Sequence, residues 1–232
     1  MKKIVFAIMA LAALTSCKGL KVTYSSDKPM AEEHRALKDF ERITLLGSLD
    51  VRYMQTDSFS VIVKGPVKAI KNVETEVEHN TLKVNMKNGN SFIHWGDEDM
   101  DDVTVYVTSP DFLGISLSGS GDFSCERKLD TDNLDITLRG SGDINFEDII
   151  CDRVKVSLVG SGDVAVDNVE TQQAQLELIG SGDIKMNFTN SGKVNSRLMG
   201  SGDITLKGNV REMNNNVRGS GDIDTEDLVV KY

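Results

Sequence analysis

The 232-residue chain is short of histidine, cysteine and positive charge, and each shortage narrows what it can do. Its three histidines, His34, His79 and His94, are scattered and fit no metal-ligand spacing. With 26 Lys and Arg against 36 Asp and Glu, the formal charge is −10, which argues against nucleic acid as a partner and against a broad basic surface for anionic lipid. Between the turn motifs no stretch carries the apolar spacing of a long amphipathic helix. The apolar run at residues 4–14 is too short to span a bilayer permanently. The outward-facing positions show no irregular insertion that could gather carboxylates or bases in a groove, so the sequence reads as no enzyme.

What the N-terminus does have is a leader. Lys2 and Lys3 precede the apolar run, and Leu14-Thr15-Ser16-Cys17 follows it. This is the layout of a secretory signal, and the four residues ending at Cys17 resemble a bacterial lipobox, whose cysteine is acylated after cleavage before it. Residues 1–16 are then a signal peptide. Loss of Lys2 and Lys3 takes the charge from −10 to −12, and attachment to membrane rests on acyl chains at Cys17. Residues 17–36 hold few large apolar side chains and include Ser25-Ser26-Asp27-Lys28-Pro29, the composition of a tether. Lys18 follows the cysteine in place of an inner-membrane-retention aspartate, and no acidic export run comes next. The expected location is the outer membrane, facing the periplasm.

The second half is organised by one repeat. Gly-Ser-Gly-Asp begins at Gly119, Gly140, Gly160, Gly180, Gly200 and Gly219, at spacings of 21, 20, 20, 20 and 19 residues. The turn aspartates are Asp122, Asp143, Asp163, Asp183, Asp203 and Asp222, and each is followed by an apolar residue. Two places before each first glycine stand Leu117, Leu138, Leu158, Leu178, Leu198 and Val217. The alternation in Leu134-x-Ile136-x-Leu138 and Val154-x-Val156-x-Leu158 is the period of a strand with one buried face. A 20-residue unit of this kind buries its apolar face only by stacking on its neighbours. At ~3.3 Å per residue and ~4.8 Å between strands, it makes a coil with about three short sides, and six coils rise roughly 25–30 Å. The predicted fold is all-β: a single-stranded parallel β-helix, or β-solenoid, right-handed by the crossover preference of parallel strands, with about 20 residues per coil. Residues 119–232 form the repeats, and residues 37–118 form the first coils and the N-terminal cap. In that first part Gly47-Ser48-Leu49-Asp50 is a worn copy of the turn. One helical turn is expected at residues 67–70, and strands at residues 73–77, 82–86 and 103–107. At the far end Ser196 and Asn215 replace apolar residues on the inward rhythm, and the chain stops partway round a coil. That open end is either protected by Lys231 or offered to a partner, a second copy included.

Arg35-x-x-x-x-Phe40-x-x-Ile43, Gly47-Ser48-Leu49-Asp50-Val51, Leu82-Lys83-Val84 and the Gly-Ser-Gly-Asp series together resemble the head GIN domain of autotransporter adhesins, over residues 36–232. The resemblance implies a right-handed β-helix on an envelope lipoprotein with an adhesin-like role. It brings no catalytic residue, and it leaves the ligand open between an envelope protein and a glycan.

The turn needs no ligand to explain it. A glycine takes positive φ without a clash, and the aspartate caps a nearby backbone N–H in the manner of an Asx turn. Stacked aspartates ~5 Å apart repel, so the alternative is Ca²⁺ held between coils by the row Asp122, Asp143, Asp163, Asp183, Asp203 and Asp222. The Ca²⁺-binding nonapeptide repeat has a different period, which favours the structural turn. No other cofactor is implied. The acidic run at residues 97–102 reads as a solvated loop, and Trp95 as a packing residue. Cys125 and Cys151 lie three and eight residues past their turn aspartates, so adjacent coils do not align them and both are expected as free thiols.

Overall fold

Alternation every second residue, interrupted every twentieth by a glycine turn, produces the stack of coils. The computed structural model describes residues 20–25, 28–87 and 103–231. The repeat region is five long strands, β10 (Phe123–Gly140), β11 (Ile144–Gly160), β12 (Val164–Gly180), β13 (Ile184–Gly200) and β14 (Ile204–Gly219), each paired in parallel with the next. The β10–β11 ladder breaks between Cys125 and Lys128 and lacks a pair at Asp132, which gives each coil three sides. Along the inside run single-residue columns. Phe123, Ile144, Val164, Ile184 and Ile204 are fully buried and in register, as are Leu117, Leu138, Leu158, Leu178 and Leu198. This is the β-solenoid of about six turns and about 20 residues per coil that the repeat predicts.

The uneven spacings are absorbed away from the glycine turn. The 21-residue first interval shows as Phe123 opposite Ile144 but Lys128 opposite Asp148, so the extra residue bulges between Cys125 and Lys128. The 19-residue last interval is taken up between Phe188 and Ser191, where Asn190 has φ 48°. The first glycine of each turn stays opposite the first glycine of the next, whatever happens at the other corners.

At the N-terminal end the first coils are built from shorter strands. They are β1 (Leu20–Ser25), β2 (Lys28–Arg35), β3 (Arg42–Gly47), β4 (Asp50–Gln55), β5 (Ser60–Pro66), β6 (Val73–Glu78), β7 (Thr81–Met86), β8 (Thr104–Ser109) and β9 (Gly114–Gly119). β3 and β4 flank the worn turn and stack in parallel on β9 and the start of β10, while β7 and β8 form the layer before. Then direction reverses, with β6 antiparallel to β7, β5 to β8, β2 to β5 and β1 to β2. The expected helical turn is a 3₁₀ turn a few residues later, at Ile70–Asn72. Beneath these layers Tyr53 stacks on Phe112 at 4.2 Å, and Phe123 continues the pile.

The tether expectation for residues 17–36 is corrected at Leu20–Ser25 and Lys28–Arg35, where β1 and β2 are paired strands, and β2 joins the cap. Its Ala31 is buried opposite Gly65, and Arg35 pairs with Glu33 at 3.1 Å while reaching the carbonyls of Ile70 and Val73. Main-chain pairing and one half-buried arginine hold this strand, so hydrophobic alternation gave no notice of it.

At the C-terminal end only β15 (Ile223–Asp224) and β16 (Leu228–Val230) lie on β14, opposite residues 204–205 and 208–210. Beyond Val210 the outer edge of β14 has no strand partner among the described residues.

The two turn glycines share a close approach to the preceding turn, and the first also needs positive φ. The first of each turn has φ between 137° and 146°. Both must be small: a Cβ on Gly160 would lie 2.1 Å from the carbonyl oxygen of Gly140, and one on Gly162 would lie 1.9 Å from that of Gly142. Gly47, by contrast, has φ 96° with open space around a Cβ. Gly162→Ala is therefore expected to cost more than about 3 kcal/mol, and Gly47→Ala about 1–2 kcal/mol of backbone strain. At roughly 2–4 °C of Tm per kcal/mol for a domain of this size, thermal unfolding separates the two; equal shifts would contradict the close-approach account.

Candidate functional site: the aspartate ladder and the cationic face

The six turn aspartates are linked by hydrogen bonds that run from coil to coil. The backbone N–H of Asp143 donates to Oδ1 of Asp122 at 2.9 Å, Asp163 to Asp143 at 3.0 Å, Asp183 to Asp163 at 2.9 Å, Asp203 to Asp183 at 3.2 Å and Asp222 to Asp203 at 2.9 Å. Asp50 of the worn turn starts the series by accepting from Asp122 at 3.1 Å. The expected Asx turn within one coil is thus replaced by a bond to the next coil. Beside it, the carbonyl oxygen of each first glycine accepts two N–H groups from the following turn, as Gly140 does from Ser161 at 2.9 Å and Gly162 at 3.2 Å.

A hydrogen bond to a carboxylate contributes about 1.5–3 kcal/mol. Neighbouring carboxylates in water repel by about 1 kcal/mol, so the bonds win and the ladder stabilises the stack. Among the described residues no three His, Cys, Asp or Glu side chains are grouped to hold a metal ion. The geometry is that of a structural turn.

Cys125 and Cys151 are both free and buried. Cys125 stands opposite Phe146, and Cys151 opposite Thr131 and Thr171, so the register keeps them apart. Burial pushes the Cys125 thiol up to about 11 and the Cys151 thiol above its ordinary value, leaving neither as a nucleophile at neutral pH. Cys151 donates to Thr171 Oγ1 at 3.5 Å, and Ser191 Oγ accepts the Thr171 N–H at 3.1 Å, so this corner is stitched by small polar side chains. Cys17, Trp95, His94 and the acidic run at residues 97–102 lie outside the described residues. Among the described residues no helix is long and apolar enough to cross a membrane.

The most distinctive surface is one that the composition argued against. On the side formed by β3, β9 and the C-terminal halves of β10–β14, the outward columns carry seven cations (Arg42, Arg139, Arg153, Lys155, Lys193, Arg197 and Arg218) against three carboxylates (Asp135, Glu177 and Glu212). Each carboxylate is already paired on the same face: Asp135 with Arg42 at 3.0 Å, Glu177 with Arg197 at 3.7 Å and Glu212 with Lys193 at 2.7 Å. Arg139, Lys155 and Arg218 have no ion pair among the described residues. Arg139 and Arg218 bracket an outward column of Val159, Ile179 and Met199, with Val159 and Ile179 each 37% exposed. The sequence signal for this stripe is the residue just before each turn, which is apolar in three successive repeats although it points away from the core.

Fold and surface together define a parallel β-solenoid that presents flat, columnar faces and has its coils locked by a hydrogen-bonded turn. The chain belongs to the family described as "Putative auto-transporter adhesin, head GIN domain", whose model matches residues 39–167 and 159–232. Among solved structures it is similar to a putative adhesin from Bacteroides fragilis, at 22% identity and TM-score 0.68 over 86% of this chain and 97% of that one. It is also similar to two proteins from Parabacteroides distasonis. One is a putative lipid binding protein, at 20% identity and TM-score 0.55 over 86% of this chain and 96% of that one. The other is a putative adhesin, at 17% identity and TM-score 0.58 over 88% and 98%. These likenesses establish the fold. No match was found among the curated proteins.

The ladder makes a graded expectation. Asp163→Ala strands the N–H of Asp183 and should lower stability by about 1–3 kcal/mol, whereas Asp163→Asn keeps an acceptor oxygen and should cost less than half as much. Urea unfolding midpoints measure both, and an alanine variant as stable as wild type would show the bond to be idle.

Proposed function

We propose that the chain is an envelope-anchored, non-catalytic binding module of adhesin type, held to the outer membrane by acyl groups on Cys17 and docking through its cationic face onto an acidic protein or glycan of the envelope. The observation that carries this reading is the pairing of uncommitted cations with an outward apolar column on a chain of net charge −10. Exposed apolar side chains aligned and rimmed by charge mark an interaction surface. Unpaired cations on one face attract an acidic partner over a distance set by ionic strength. The polar side chains of the face stand in parallel columns at the ~4.8 Å strand spacing, a geometry suited to a repetitive or extended ligand. Family membership supports the adhesin-type role.

For the docking face, the probe is a polygalacturonate matrix, with a neutral dextran matrix as control. The wild-type chain should be retained at low salt on the first alone. Retention should fall at least tenfold, about 1.4 kcal/mol, for Arg139→Glu combined with Lys155→Glu, and again for Val159→Asp combined with Ile179→Asp. Unchanged retention in folded variants would remove the face from the proposal.

For the anchor, Cys17→Ala should move the protein from the membrane to the soluble fraction, and protease added to intact cells should leave the wild type whole until lysis. Digestion in intact cells would place it on the outer surface instead.

A further inference from the structure

The outer edge of the last coil adjoins the cationic face at Glu212 and Arg218. Along the C-terminal half of β14 the outer edge is unpaired among the described residues, since β15 and β16 reach only as far as Val210. Its sequence is Glu212-Met213-Asn214-Asn215-Asn216-Val217-Arg218. In a strand, side chains alternate, so residues 212, 214, 216 and 218 point outward and residues 213, 215 and 217 toward the coil interior. Read from Asn215 in both directions, the segment is self-complementary. Asn214 mirrors Asn216, Met213 mirrors Val217, and acidic Glu212 mirrors basic Arg218.

We propose that this edge is a homodimer interface, in which residues 212–218 pair antiparallel with the same residues of a second copy about a two-fold axis at Asn215. An isologous contact needs one patch that complements itself. Here a register centred on Asn215 sets Glu212 against the second copy's Arg218, and Arg218 against its Glu212. Met213 and Val217 meet on the interior side, and the amides of Asn214 and Asn216 meet on the exterior side.

The charges are ready for it. Arg218 has no ion pair among the described residues, while Glu212 already takes Lys193 at 2.7 Å from the coil below and would receive a second cation from the coil above. Val217, on the column whose other leucines are fully buried, is 43% exposed and would be covered. Asn214 already donates to Asn195 at 3.3 Å, so the amide column continues across the joint. Ser196, buried beneath Asn215, has an Oγ with no hydrogen-bond partner, consistent with a layer that is incomplete in one copy. Head-to-tail stacking does not compete, because at the N-terminal end β5 and β6 run against the coil direction and β2 and β1 add further strands.

Sedimentation velocity on the Cys17→Ala chain, which removes the acyl group and the third thiol, tests the idea. A concentration-dependent monomer–dimer equilibrium is expected. Arg218→Glu sets carboxylate against carboxylate at both ends of the joint and should raise the dimer Kd at least tenfold, as should Glu212→Arg. The double exchange Glu212→Arg with Arg218→Glu should restore the dimer, which a folding defect would not. Asn215→Cys should give a disulfide-linked dimer on non-reducing gels, because the two-fold axis brings the position onto itself within bonding range. A wild-type chain that stays monomeric into the millimolar range would overturn the proposal and leave the edge to a strand of another protein. So would a dimer indifferent to both charge reversals.

Discussion

Everything in this fold depends on how closely one turn sits on the next. The carbonyl of each first glycine receives two N–H groups from the following turn, and the second glycine leaves no room for a side chain between them. The aspartate then ties its coil to the next through a backbone N–H. Hydrophobic burial supplies the driving force, but burial is non-directional. It is the glycine corner that converts a tendency to collapse into a fixed register. One slipped residue would turn every inward leucine outward, and the corner forbids the slip.

A tight corner also allows looseness elsewhere. The first interval is one residue longer than the standard and the last one shorter, yet neither difference reaches the turn. Both are taken up by bulges where the strand bends and where side chains face water. The corner built from Cys151, Thr171 and Ser191 tolerates polar groups in the interior because they bond to one another and to nearby backbone. The solenoid thus has one rigid edge and two adaptable ones.

This division explains what could be read from the residues alone. The turn repeats its letters, and the inward columns repeat their apolar character at fixed distances from it, so the coils, their length and the core followed directly. The aspartate was recognised as a capping residue, but its partner lies 20 residues away, and a local turn rule points to the wrong donor. β2 escaped notice because Ala31 and Arg35 are held by main-chain pairing and by carbonyls near residue 70. The cationic face was hidden for a different reason. Its members come from six strands and meet only after the coils are stacked, so a net charge of −10 gave no hint that positive groups would be sorted to one side. A lone Val159 or Ile179 looks like ordinary exposed surface; only the register shows them as a line.

The absorbed irregularities carry a consequence in genetic terms. Because each coil joins its neighbours through the same corner, a duplication or loss of about twenty codons adds or removes one whole layer without disturbing the faces of the others. The length of the columnar surface is then set by copy number, while the letters at the outward positions stay free to drift. A lineage carrying this gene can change the reach of the face by recombination and its chemistry by point mutation, with little interference between the two.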